Sequence, residues 1–281
     1  MARQLPLPVQ AAVLSVVIFA VFILVWQLAV GPSGGSAGGM DPELAALLGP
    51  QAKGASAFPA PGDVFKELWR HVTDPFYDKG PNDKGIGIQL AYSLARVTLG
   101  FGMAALVAIP FGFLIGMSEL IYKALDPFFQ ILKPISPLAW MPLALYTIKD
   151  SNASSVFVIF ICSLWPMLIN TAFGVGTVRR EYLNVAKTLE LGPLRTAWKV
   201  ILPAAAPTIV TGMRISIGIA WLVIVAAEML VGGTGIGYFV WNEWNNLSIT
   251  NVVAAIVFIG LVGLVLDQLM GRLQRVVSYV E

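Results

Sequence analysis

Arg96, Lys133, Arg214 and Glu228 are charged side chains at or inside long apolar runs of this 281-residue chain. A charge in hydrocarbon is expensive, so each is first a candidate for binding or relaying an ion. Arg96 and Glu228 fall near the outer ends of their runs and Lys133 near an inner end, where snorkelling accounts for them. Arg214 is the deepest, eleven residues past Pro203, or roughly 16 Å of helical rise. An anion path and a structural ion pair are both open to it. Asn170 and Thr171 supply neutral donors, and Trp140 and Met141 an apolar constriction. Such a set suits an anion held weakly enough to leave again, with helix–helix bonding and core packing as the plain alternative.

Other chemistry is excluded by residue count or spacing. Cys162 and His71 are the sole cysteine and histidine, so neither a disulfide framework nor a metal site built on these residue types is available. The GGTGIG segment at 232–237 superficially suggests a phosphate loop. No strand precedes it and no Lys-Ser or Lys-Thr follows, so a tight outer turn or re-entrant segment is expected. Nothing elsewhere fits G-x4-G-K-[ST], so the chain does not bind ATP by that route. A net charge of +2, scattered along the chain, does not suggest nucleic-acid binding.

The elements that must position these residues are membrane spans. The chain is 57% hydrophobic and 12% charged, against roughly 25% charged in a soluble domain. Its apolar runs are continuous rather than alternating, which indicates helices and not a β-barrel. Residues 11–30 are read as a retained first span, longer than a usual signal-peptide core. Residues 31–62, rich in Gly, Ser, Ala and Pro, are read as a flexible loop. Asp63 then caps an amphipathic interfacial helix with Val64, Leu68 and Val72 on one stripe. Further spans follow at about 88–117, 125–147, 154–177, 205–231 and 250–270, the 125–147 span being kinked by Pro127, Pro134, Pro137 and Pro142. Three regions result: an N-terminal span at 1–30, an extracytoplasmic loop with its interfacial helix at 31–86, and a transmembrane domain at 87–281.

Orientation follows from Lys and Arg in short loops. With the amino end inside, Arg3, Lys123, Arg179, Arg180, Lys187, Arg195, Lys199, Arg272 and Arg275 are cytoplasmic, as are both termini. Trp241 and Trp244 are then expected in an outer aromatic belt. There is no internal repeat, which weighs against an inverted-repeat secondary transporter.

One charged, helix-compatible segment interrupts the apolar runs on the cytoplasmic side, EYLNVAKTLELGPLRTAWKVILP at 181–203. As a helix it aligns Tyr182, Val185, Ala186 and Leu189 in one apolar stripe, with Glu181, Asn184, Lys187 and Thr188 outside it. The stripe is expected to pack on the chain's own spans and the polar face to meet another protein.

This segment resembles the EAA loop of ABC importer membrane subunits, whose pattern is E-A-A-x3-G-x9-I-x-L-P. Ala186, Leu202 and Pro203 match it and Val200 is a conservative match. Asn184 and Val185 stand where the pattern has Glu and Ala, and Glu190 where it has Gly. With no glycine at 190, the helix is expected to run on to Gly192-Pro193. The likeness extends over about 93–279, through SLARVTLGFGMAALVAIPFGFLIGMS, LDPFFQILKPISPLAWMPLALYTI and LPAAAPTIVTGMRISIGIAWLVIVAAEML, which resemble the nitrate/sulfonate/bicarbonate branch of these permeases.

The resemblance implies an all-α integral membrane fold of the type I importer class, with about six transmembrane helices and a cytoplasmic coupling helix. It further implies a non-catalytic subunit that forms a homodimer in the cell membrane. Two cytoplasmic ATPase subunits would bind ATP and Mg and dock on Glu181, Asn184, Val185, Ala186, Lys187, Thr188, Leu189 and Glu190. An extracytoplasmic binding protein would deliver the anion, nitrate with nitrite being expected and bicarbonate, sulfonate or cyanate the alternatives. A self-contained channel and a scaffold for a peripheral enzyme are the rivals outside this class.

Overall fold

The computed structural model describes residues 6–30, 58–80 and 82–277. Helices run in the order α1 (Leu7–Val30), α2 (Pro61–Thr73), α3 (Ile86–Gly116), α4 (Glu119–Leu132), α5 (Pro137–Ile148), α6 (Ser151–Gly176), α7 (Arg180–Thr188), α8 (Pro193–Thr196), α9 (Leu202–Val231), α10 (Ile236–Asn245) and α11 (Ile249–Val277). A π turn, Ala197–Ile201, joins α8 to α9. Pro203 cannot donate to the Lys199 carbonyl, which accounts for the loosened winding there. A hairpin of β1 (Asp78–Gly80) and β2 (Asp83–Lys84) precedes α3. Of the loop expected over 31–62, residues 31–57 lie outside the described residues, and Pro61 and Gly62 belong instead to the first turn of α2.

Among the described residues, five helices are long and apolar enough to cross a membrane, with a sixth crossing if α4 and α5 form one broken span. The protein is thus a mostly helical, multi-pass membrane protein. The kink expected in the span at 125–147 is a full break: α4 and α5 meet at 89°. Pro134 withholds the N–H that would bond the Gln130 carbonyl, and Pro137 opens a new helix with Ser136 extended at ψ 133°. Pro127 and Pro142 lie inside their helices without breaking them. A single missing donor is tolerated where neighbouring turns hold, whereas two prolines three residues apart are not.

The chain divides into two compact units. The smaller holds α1, α2 and residues 243–256. There the Trp26 indole donates to the Pro59 carbonyl at 3.1 Å and packs at a tilt against the Phe58 ring, joining the end of α1 to the start of α2. Asp63 is not the cap of α2: Ala60 is, with Pro61 in the first turn and no side-chain cap bond. The packed residues are Val64 and His71, while Phe65, Trp69 and Val72 form an exposed row. His71 Nε2 lies 3.2 Å from Asn251 Oδ1, and Asn251 in turn donates to Glu243 at 2.7 Å.

In the larger unit α3, α6 and α9 interlock. Gly100, Ala104, Ala108 and Gly112 repeat every four residues along one buried side of α3. A Cβ at Gly112 would lie 2.7 Å from the Leu168 carbonyl oxygen and 2.8 Å from Thr171 Cβ. One at Gly212 would lie 2.6 Å from Asn170 Cβ. Without a hydrophobic drive between helices in lipid, such close backbone approach is what holds them together. Phe129 of α4 closes one side of this core against Leu164, Met167 and Leu168.

Candidate functional site

The polar helix is α7, and its packing differs from the expected stripe. Only Ala186 is buried, at 2% exposure, with Leu183 partly buried against Val175 and Ile201. Tyr182, Val185 and Leu189 point outward, Val185 at 58% exposure. A short helix resting across span ends packs along a narrow line, so Leu183 and Ala186, three apart, suffice. The surface it offers therefore combines Tyr182, Val185 and Leu189 with Glu181, Asn184, Lys187 and Thr188.

The helix also stops earlier than expected. The Leu191 N–H bonds the Ala186 carbonyl and the Glu190 N–H bonds the Lys187 carbonyl, both at 3.0 Å. Glu190 has φ 51°. This pair of bonds and a left-handed residue define a Schellman stop, where glycine is preferred because it carries no Cβ. The Gly of the EAA pattern thus has a geometric meaning at position 190, and Glu190 holds the same turn under strain. A departure in residue type did not lengthen the helix.

The intramembrane candidates fall in three settings. Trp140 lines a cavity of about 260 Å³ at the α4–α5 break, while Met141 beside it is buried. Asn170 donates to the Pro166 carbonyl and Thr171 to the Met167 carbonyl, each at 2.7 Å within α6. Their side chains face Gly212 and Gly112, so the structure places both in helix packing. Arg214 forms a bidentate pair with Asp267 of α11, two bonds of 2.7 Å, and reaches Gln274 at 3.3 Å. Asp267, alone in an apolar run, was the sequence signal for this partner.

Arg96 and Glu228 are not snorkelling residues. They meet at 2.6 Å, exposed by 9% and 1%, in the halves of α3 and α9 away from α7. Arg96 also donates to Asn152 and to the Thr234 carbonyl. Ser93 donates to Glu228 at 2.8 Å and accepts from the Ile236 N–H at 2.9 Å. The Gly235 N–H bonds Gln89 at 2.6 Å and the Gly237 N–H bonds Glu228 at 3.0 Å. The glycine segment therefore does hold an anion at the start of α10, and that anion is the chain's own carboxylate. Gln89, Ser93 and Arg96 recur at helical spacing in an apolar run, which was the legible hint. Among the described residues no three His, Cys, Asp or Glu side chains converge as metal ligands.

Residues 108–279, from the second half of α3 onward, match the family described as binding-protein-dependent transport system inner membrane component. The chain is 45% identical over 226 residues to the nitrate import permease protein NrtB of Synechocystis sp., covering 80% of this chain and 82% of the relative. It is 45% identical over 205 residues to the bicarbonate transport system permease protein CmpB of the same organism, covering 73% of each. Its fold resembles an inward-facing conformation of the MetNI methionine ABC transporter, with a TM-score of 0.59 at 16% identity over 68% of this chain and 95% of that one.

Proposed function

This chain belongs to the family of binding-protein-dependent transport system inner membrane components, and from that premise we propose that it is the permease subunit of an ATP-driven importer carrying nitrate, and nitrite with it, into the cytoplasm. The supporting observation is its 45% identity to a nitrate import permease across 80% of its length. Bicarbonate is the second reading, favoured by the same identity to a bicarbonate permease over 73% of the chain.

In this reading the subunit is not itself an enzyme. Two copies surround one path, an extracytoplasmic binding protein delivers the anion, and two cytoplasmic ATPase subunits hold ATP and Mg. Both termini and α7 lie in the cytoplasm, in keeping with the Lys and Arg of the short loops. The ATPase subunits dock on the 181–190 surface, where exposed Tyr182, Val185 and Leu189 supply apolar anchors and Glu181, Asn184, Lys187, Thr188 and Glu190 a polar rim. Ala186 fixes that surface to the spans. Motor closure then moves α7 and the span ends together and switches access to the path. The path runs past the α4–α5 break. Trp140 forms part of its wall, and Met141, Asn170, Thr171 and the Arg214–Asp267 pair brace that wall from behind.

The experiment is ATP-dependent uptake by the complex reconstituted in liposomes with its binding protein and ATPases, nitrate compared with bicarbonate. Nitrate uptake that needs ATP supports the reading. Bicarbonate uptake alone replaces the substrate, and flux through this chain without ATPases replaces the class.

A further inference from the structure

Lys133 is badly placed for a surface lysine. It follows α4 at the break and lines the 260 Å³ cavity with Ser136 and Trp140, while Cys162, Trp165 and Ile219 close the far side. Cys162 stands midway along α6 (Ser151–Gly176) and Ile219 just past the middle of α9 (Leu202–Val231). Spans of this length cross a hydrocarbon layer about 30 Å thick. The break therefore lies near the midplane, beyond the reach of a lysine stem to either surface, and not at an inner end as the sequence suggested.

Its charge is also uncompensated. Arg96 and Arg214 are each bonded to a carboxylate. The Lys133 ammonium has no hydrogen-bond or ion-pair partner among the described residues. An unpaired ammonium at this depth must face water, because lipid would exact too large a desolvation penalty.

The helix leading to it carries a polar track. Glu119, Lys123, Asp126 and Gln130 recur every three or four residues along α4 and end at Lys133. Lys123 bonds Glu119 at 2.7 Å and Gln130 bonds Asp126 at 2.6 Å, leaving the last cation of the track without an anion of its own. The uncapped first turn of α5 opens at the same break and adds its positive end. An interrupted helix near the midplane is a setting in which membrane carriers hold ions.

We propose that Lys133 is the mid-membrane receptor for the transported anion, a small oxyanion held in the elbow cavity of α4 and α5. The cavity accommodates such an ion with several waters at about 30 Å³ each. One mobile ammonium with no fixed counter-charge binds firmly enough to admit the ion and loosely enough to release it. This proposal rests on the anion-permease reading above.

The test uses the reconstituted complex. Lys133→Gln is expected to lower ATP-dependent uptake per assembled complex about tenfold or more, the loss that one desolvated charged contact carries. Lys133→Arg is expected to keep most of it, and ATPase subunits to co-purify with both variants. In a second arm, Lys133→Cys is made in a Cys162→Ala background and treated with water-soluble thiol reagents. A cationic aminoethyl reagent should restore uptake and an anionic sulfonatoethyl reagent should not. Undiminished uptake in Lys133→Gln, or a thiol there that no water-soluble reagent reaches, overturns the proposal. If the wild-type complex carries bicarbonate instead of nitrate, the nitrate reading falls and the same variants are read on bicarbonate. Thiol labelling needs no transport, so it judges the position of Lys133 independently.

Discussion

Arg96 Nη1 lies 2.6 Å from Glu228 Oε1, and the same nitrogen donates to the Thr234 carbonyl at 2.7 Å. One guanidinium therefore ties α3, α9 and the glycine turn before α10 to a single point.

Breaking that point from one side should be worse than neutralising both. Arg96→Met leaves a buried carboxylate unpaired and is expected to destabilise the protein by about 3–5 kcal/mol. The double variant Arg96→Met with Glu228→Gln should recover much of the loss. Thermal unfolding in detergent checks this, and an unchanged melting curve for Arg96→Met would remove the proposed importance of the pair.

The strained turn after α7 makes an opposite prediction. Glu190 at φ 51° carries a penalty of about 1 kcal/mol that glycine does not. Glu190→Gly should raise stability by about that amount and Glu190→Val, β-branched and intolerant of this φ, should lower it. Chemical denaturation of the permease in detergent reads both signs.

Neighbouring residues of α7 should separate folding from docking. Ala186→Asp buries a charge and is expected to lower both melting temperature and ATPase co-purification. Val185→Asp alters an exposed residue, so melting should hold while binding of the ATPase subunits weakens about tenfold or more. Equal loss of melting temperature in the two variants would contradict the packing described for α7.

Two glycines give a matched pair. Gly112→Val drives a side chain into the Leu168 carbonyl and Thr171 and is expected to destabilise by at least about 1–3 kcal/mol. Gly218 has open space around its Cβ position, so Gly218→Ala should be nearly neutral. The comparison is made by melting curves on purified protein.

Much of this architecture was legible because hydrocarbon imposes a length on every span, and the runs around 88–117, 154–177 and 205–231 coincide with α3, α6 and α9 within a few residues. The position of α7 was legible too, from charge and period. Its packed side was not, since Tyr182, Val185 and Ala186 are all apolar and only the neighbouring span ends decide among them. The partnership of Arg96 with Glu228 joins residues far apart in sequence, and no local spacing announces it. The depth of Lys133 is not legible for a simpler reason: counting residues from a span end presumes a straight helix, and an 89° bend invalidates the count.

The interlocking of α3, α6 and α9 has a mechanical side. Helices seated backbone to backbone cannot slide past one another without lifting out of their grooves, so a push at α7 is expected to reach the Arg96–Glu228 end with little lost on the way. Regular bonding is interrupted at the bend after Leu132 and at the π turn Ala197–Ile201, and these are where the fold is expected to yield. A stiff plate on two hinges has few resting positions. The carrier is accordingly expected to work in discrete strokes, with no half-open state through which ions could drain down their gradient.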